Sequence, residues 1–245
     1  MKMDIIDLNA RMADRVAGIR RKMAQAAAEA GRDPEDIFLC AACKAQASET
    51  VRLSAALEID IFGENRMQEL REHLQADVFA GKPCHFIGQL QTNKVRQVVG
   101  KAVMIHSVDS RRLMAAIQEE AEKQCLKQDI LFEINLGQEK SKAGANTEDL
   151  KALLEAADAC PNLRVRGLMA IPPADCTEDE ARRHFARLRQ LLENAQAWRY
   201  ENAVMDTLSM GMSGSYEAAI REGATIVRIG REIYGPRPMK REELA

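Results

Sequence analysis

Ile37-Phe38-Leu39-Cys40-Ala41-Ala42-Cys43-Lys44 is an apolar run that ends on a lone lysine. Its ending separates two folds. An open doubly wound sheet follows its first strand with a glycine-rich phosphate loop, whereas here Lys44 leads into Ala45-Gln46-Ala47-Ser48, with no glycine. Working outward, short apolar runs fall at 37–43, 59–62, 85–87, 103–106, 130–134, 165–171, 207–210 and 226–229. Helical patterning lies between them, as at 64–79, 110–126, 147–159 and 178–197. Eight strands alternating with helices predict parallel β/α units, and eight is the number that closes a barrel. Ahead of the first strand, Leu8, Met12, Val16, Ile19 and Met23 recur at spacings of three and four, which predicts one more helix with a single apolar stripe. Gly31 and Pro34 are its stop signals. No Pro/Gly/Ser-rich linker, low-complexity tract or internal repeat divides the chain. The expectation is an α/β protein of one domain over residues 1–245, a (β/α)8 barrel at about 37–235 behind an N-terminal helix at about 4–30.

Composition narrows the function. The 245 residues carry 35 Lys and Arg against 37 Asp and Glu, a formal charge of -2, with 46% hydrophobic residues. That near-neutral balance argues against a mainly electrostatic nucleic-acid binder. No apolar run reaches the ~18 residues of a membrane span, and no signal-peptide block opens the chain. The expected setting is the cytoplasm. Six scattered cysteines, Cys40, Cys43, Cys84, Cys125, Cys160 and Cys176, read as reduced thiols rather than a disulfide framework. Cys40 and Cys43 are three apart on a strand, so they face opposite ways and are expected to be packed thiols. No His/Cys/carboxylate cluster has zinc spacing.

In such barrels the chemistry gathers where strands end and loops begin. Ser209-Met210-Gly211-Met212-Ser213-Gly214-Ser215 follows the seventh strand and runs into a short helix, and Gly230-Arg231 follows the eighth. A glycine-rich turn before a helix exposes N–H groups that hold phosphate, and loops seven and eight are its usual place in barrels. The alternative for Ser213 is a plain helix cap. Lys44 closes a strand, where a buried lysine is a poor choice without a partner. Either its amine reaches solvent over a packed stem, or it forms a Schiff base with an aldehyde. A phosphate cup and such an amine in one mouth suggest a phosphorylated aldehyde, a description that pyridoxal 5′-phosphate fits.

Five ordered motifs make the comparison specific. Phe62-Gly-Glu-Asn-Arg-Met-Gln-Glu69, His85-Phe-Ile-Gly-Gln-Leu-Gln-Thr-Asn-Lys94, Ile105-His-Ser-Val-Asp109, Leu208-Ser-Met-Gly-Met-Ser213 and Ala224-Thr-Ile-Val-Arg-Ile-Gly230 resemble the pyridoxal phosphate homeostasis protein family, also called YggS-like or proline-synthase co-transcribed proteins. The resemblance runs from about Ile37 to Gly235. It implies a barrel like the N-terminal domain of alanine racemase, with pyridoxal 5′-phosphate attached through Lys44. It further implies Asn65 near the ring substituents, Met169 and Met212 lining the ring pocket, and Arg228 facing the pyridine nitrogen. Ser213, with the backbone of Gly230 and Arg231, would take the phosphate. Strand alternation agrees on one point, since Ile226, Arg228 and Gly230 share a face. The chain departs from the family in three places. Ala42-Cys43-Lys44-Ala45 stands where Val-Ser-Lys-Thr is usual, Arg231 where Thr is common, and Ser215 where an acid is frequent.

The function implied is a carrier that buffers or delivers pyridoxal phosphate, with transient contact to apo-enzymes and a monomeric or weakly dimeric state. A racemase-like or decarboxylase-like enzyme is the second reading, and a cofactor-free Schiff-base aldolase the third. Racemisation needs a base on each face of the cofactor, and alanine racemases draw the second, a tyrosine, from a C-terminal domain. This chain stops soon after its eighth strand, at Glu243-Leu244-Ala245, so no such domain is expected. The remaining candidates have plainer readings. Glu64 is placed at a helix start or near a ligand, His85 and His106 as satisfied core histidines, and His73 and His184 on charged helix faces. Trp198 and Tyr200 read as packing, and residues 240–243 as a solvated tail.

Overall fold

The computed structural model describes residues 5–137, 143–173 and 176–236; the charged run at 240–243 lies outside them. Eight parallel strands close on themselves in the order β1 to β8. They are β1 Phe38–Ala42, β2 Ile61–Glu64, β3 Cys84–Phe86, β4 Met104–Val108, β5 Gln128–Glu133, β6 Leu163–Met169, β7 Ala203–Ser209 and β8 Ile226–Ile229. The helices are α1 Ile5–Glu29, α2 Ser48–Ser54, α3 Met67–Gln75, α4 Arg111–Lys123, α5 Leu150–Asp158, α6 Glu178–Gln196, α7 Tyr216–Arg221 and α8 Arg231–Tyr234. The barrel and its N-terminal helix are as expected.

The local reasons are legible. Met12, Val16, Ile19 and Met23 of α1 are all buried, and Gly31 leaves the helix at φ +66°, the left-handed turn that glycine makes without strain. Arg32 then fixes α1 to the barrel by donating to the carbonyls of Ile220 and Ala224 at 2.8 Å each. The Thr177–Glu180 capping box opens α6. Two expectations shift. Glu64, read as a helix start, is the last residue of β2, because α3 begins only at Met67. Between β3 and β4 a 3-10 segment, Thr92–Gln97, stands in for an α-helix.

Alternation along the strands separates an outer core from the barrel interior. Leu39, Ala41 and Cys43 pack in the outer layer against the helices. Cys40 turns inward with Ile61, Ile87 and Ile226, with Ala42 packed against them. The two cysteines therefore face opposite ways, both buried. Burial pushes Cys40 up to about 12 and Cys43 well above its ordinary value, so both are inert packed thiols. Gly63 makes room for this layer, since a Cβ there would sit 2.8 Å from Cys40 Sγ and 2.7 Å from Ile87 Cδ1.

Candidate functional site

Lys44 lies two residues past Ala42, on the inward face of β1 extended. The Cys43 N–H donates to Gly63 O at 2.9 Å, so the chain is still anchored to β2 one residue before the lysine. Lys44 is half-buried, and among the described residues its amine has no hydrogen-bond or ion-pair partner. Ala45 follows at φ +60°, a conformation that costs an L-residue of order 1–3 kcal/mol and persists only where the surroundings over-determine it.

Below the lysine the barrel interior is polar. Arg228, on β8, is 5% exposed and donates to Ser209 Oγ and, at 3.1 Å, to Ala170 O. Ser209 Oγ lies 2.9 Å from His106 Nδ1, and His106 Nε2 lies 2.9 Å from His85 Nδ1. These contacts set a direction. Ser209 accepts from Arg228, and its own buried hydroxyl hydrogen needs an acceptor, which is His106 Nδ1. His106 then carries its hydrogen on Nε2 and donates to His85. Burial drives His85 down to about 4 and, with His85 and Arg228 adding to it, His106 well below its ordinary value. Both rings are neutral and buried, as expected of core histidines, and His106 is paired at both nitrogens.

Glu133 ends β5 on the inward face, two residues from Leu131, which packs with Met104 and Met169 inside the barrel. Its carboxyl is pushed up to about 7, because burial outweighs the pull of Arg228 and Asp109 adds repulsion. The folded state therefore keeps a proton that the unfolded chain has already shed, so stability falls as pH rises from the ordinary carboxylate range and levels off above about 7. Glu133→Gln removes that loss. The variant is expected to exceed the parent by about 2–3 kcal/mol at mildly alkaline pH. Denaturant unfolding should find the gap closed on the acid side.

The loops after β7 and β8 form the other half of the mouth. The Met210 N–H donates to Ile226 O and the Arg228 N–H to Gly211 O; the same register continued brings Ser213 level with Gly230. Ser213 does not cap α7. Ser215 occupies the cap position, and its Oγ accepts the Met212 N–H at 3.2 Å. Among the described residues, the N–H groups of Ser213, Gly214 and Gly230 donate to no protein acceptor. Donors left open at neighbouring helix starts suit an anion. Tyr216 OH, donating to Glu232 Oε1 at 3.5 Å, ties α7 to α8.

The remaining predicted residues distribute unevenly. Asn65 is half-buried, with its backbone against Gly88. Met169 is buried in the interior cluster with Met104 and Leu131. Met212 is 38% exposed on the loop. The Arg231 side chain is exposed.

Two features were missed. Glu133 was visible as the third residue of the inward set Asp129, Leu131 and Glu133. His73 was placed on a charged face, yet it is 1% exposed and lies 2.6 Å from Glu64 Oε1. Its spacing of three from the buried Leu70 was the available signal.

Comparison with known proteins places this geometry among relatives. The family described as alanine racemase, N-terminal domain, matches residues 16–238. A pyridoxal phosphate homeostasis protein of Aquifex aeolicus is 40% identical over 224 residues, covering 91% of this chain and 97% of that one. Its Escherichia coli counterpart is 36% identical over 229 residues, with 92% and 97% covered. PipY of Synechococcus elongatus, solved with PLP bound, superposes at a TM-score of 0.80 with 30% identity, covering 91% of this chain and all of that one. Alanine racemase of Corynebacterium glutamicum, at 17% identity, shares the fold alone, with a TM-score of 0.69 over 94% of this chain and 63% of its own.

Proposed function

The chain belongs to the pyridoxal phosphate homeostasis protein family, and from that premise we propose that residues 1–245 form one domain that binds pyridoxal 5′-phosphate to buffer and deliver it. One observation carries the reading: among the described residues, an inward lysine without a partner shares a barrel mouth with backbone donors that no protein group uses. Those groups fit the cofactor, whose aldehyde condenses with a primary amine, releasing water, and whose phosphate needs N–H donors. In this reading Lys44 supplies the amine. Ser213, Gly230 and the Arg231 backbone take the phosphate. Asn65, Met169 and Met212 border the ring, and Arg228 meets its nitrogen.

Turnover finds little support in the same residues. The three tyrosines are Tyr200, Tyr216 and Tyr234. Tyr234 is buried in the outer layer, 3.0 Å from Ser54 Oγ and 3.6 Å from Cys43 Sγ. Tyr216 is committed to Glu232, and Tyr200 packs against the outer core. Burial raises both Tyr216 and Tyr234 above the ordinary phenol range, which makes them poor bases at neutral pH. Arg228 stays protonated and disfavours a proton on the ring nitrogen, weakening the cofactor as an electron sink. Missing base assistance alone costs about 10²–10⁴-fold in rate. No described helix is long and apolar enough to cross a membrane, and we place the carrier in the cytoplasm, in transient contact with apo-enzymes.

The test combines binding with transfer. Purified protein should take up pyridoxal 5′-phosphate and pass it to an apo-enzyme, while amino acids in deuterated water show no rapid α-proton exchange. Pyridoxal without phosphate should bind far more weakly. Ser213→Ala, losing one hydroxyl donor to a charged group, should weaken binding roughly ten- to a hundredfold. Rapid inversion of alanine that disappears in Lys44→Ala would replace the carrier by the racemase-like enzyme.

A further inference from the structure

One face of α3 grips the loop that carries Lys44. The carboxylate of Glu69 accepts the Ala45 N–H at 3.3 Å. Glu72 Oε1 accepts from Ser48 Oγ at 3.3 Å, and His73 lies near enough to the backbone of Gln46 for that backbone to favour the charged ring. Residues 69, 72 and 73 are neighbours on one helix face, and together they reach three of the four residues after the lysine. Among them His73 is the buried one, and beneath it lies Glu64, wholly buried at the end of β2. Glu64 Oε1 lies 2.6 Å from His73 Nδ1, and Glu64 Oε2 is buried without a partner. A carboxylate is a costly residue to bury in this way, and nothing in the cofactor site itself uses it. The strained Ala45, at φ +60°, is the first residue of the gripped segment.

Resting on the functional reading above, we propose that His73, oriented by Glu64, is a positioning residue for Lys44, holding the lysine loop through the backbone carbonyl of Gln46. The ring can donate to Gln46 O only with a hydrogen on Nε2. That tautomer is kept while a proton lies between Nδ1 and Glu64, on either atom. When the shared proton leaves, a carboxylate oxygen faces a bare Nδ1. The ring then moves its remaining hydrogen to Nδ1, and the bond to Gln46 is lost.

The surroundings place this loss on the alkaline side. Burial opposes the charge on His73, but the Glu64 hydrogen bond, the charges of Glu64 and Glu72 and the Gln46 contact together raise it. Burial also raises Glu64. The other groups facing the pair are Glu69 and Glu72 of α3, Cys43 after β1, Cys84 of β3 and Tyr234 of α8. Burial pushes Cys43, Cys84 and Tyr234 well above their ordinary values, so they stay protonated as His73 titrates. His73, raised above its ordinary value, thus holds the loop at neutral pH and releases it as pH rises through that raised value.

Amide hydrogen exchange of the segment 44–48 in cofactor-free protein reads the grip directly. Release of bound pyridoxal 5′-phosphate into a phosphatase trap reads its consequence. His73→Ala should lower protection about three- to tenfold, the worth of one hydrogen bond, and speed release by a similar factor. The parent should show the same loss on going from neutral to mildly alkaline pH. Glu64→Gln should abolish that alkaline loss, because the amide donates to Nδ1 and locks the Nε2–H form. His73→Gln, which keeps a donor near the Nε2 position, should retain protection without the pH step. If His73→Ala does not fold, these two variants decide the matter. Parent-like protection in His73→Ala, or an unchanged alkaline step in both Glu64→Gln and His73→Gln, overturns the assignment. Failure of the parent to bind pyridoxal 5′-phosphate would instead remove the functional reading, and the exchange measurement would still judge the grip.

Discussion

Lys44→Ala is expected to abolish borohydride-fixable attachment of pyridoxal 5′-phosphate and the visible absorbance that goes with it. The proposed phosphate donors at Ser213, Gly214 and Gly230 and the guanidinium of Arg228 are untouched by this change, so binding should be weakened rather than ended. With an attachment in the site worth about 3 kcal/mol, release accelerates on the order of a hundredfold. Lys44→Arg separates charge from chemistry. It keeps a cation at the mouth, but a guanidinium stays protonated and cannot condense with an aldehyde. Both variants should therefore lose the absorbance. Stopped-flow release and mass mapping after reduction provide the readouts. Label found on another lysine, with Lys44 unmodified, would move the attachment point.

The order of strands, the closure of the barrel and the N-terminal helix were legible because each rests on local periodicity. The lysine was legible for the same reason, as a charged residue at the end of an apolar strand. What escaped depends on contacts between elements far apart in the chain. Glu64 and His73 are nine residues apart and meet only because α3 folds back over β2. Read one at a time, a glutamate before a helix and a histidine on a charged helix are both ordinary surface residues. The link of Ser209 to His106 joins residues 103 apart in sequence, so periodicity could suggest that each faces inward but not that they touch. Ser213 is a different case. As a serine before a helix it left a plain cap open as the alternative to a phosphate contact, and the structure removes that alternative, because the chain turns two residues later and Ser215 takes the cap position. The choice between them lies in backbone geometry that residue type does not encode.

Gly88→Ala should unfold or severely destabilise the protein, and the reason lies at the site. A Cβ on residue 88 would stand 2.1 Å from the carbonyl oxygen of Asn65 and 2.6 Å from its Cα. Both obstacles are backbone, so no rotamer change clears them. The Ile87 N–H donates to Glu64 O at 2.8 Å, which clamps β3 to β2 one residue earlier on each strand. Separating the strands to admit a methyl group would break that bond and shift the unit that carries Glu64 and Asn65. Overpacking typically costs 1–3 kcal/mol where side chains can adjust. With backbone on both sides the expected loss is about 4 kcal/mol or more, a large share of a domain's usual 5–15 kcal/mol. The same displacement moves Asn65 in the mouth and Glu64 beneath His73. Any folded fraction of Gly88→Ala should therefore bind pyridoxal 5′-phosphate poorly and show reduced exchange protection in the lysine loop. Thermal unfolding of the variant beside Gly81→Ala checks the argument, because a Cβ at Gly81 meets nothing within 4 Å although its φ is +79°. Gly81→Ala isolates the penalty of a left-handed backbone, about 1–2 kcal/mol. A Gly88→Ala protein as stable as Gly81→Ala would mean that β2 and β3 part more easily than their clamp implies.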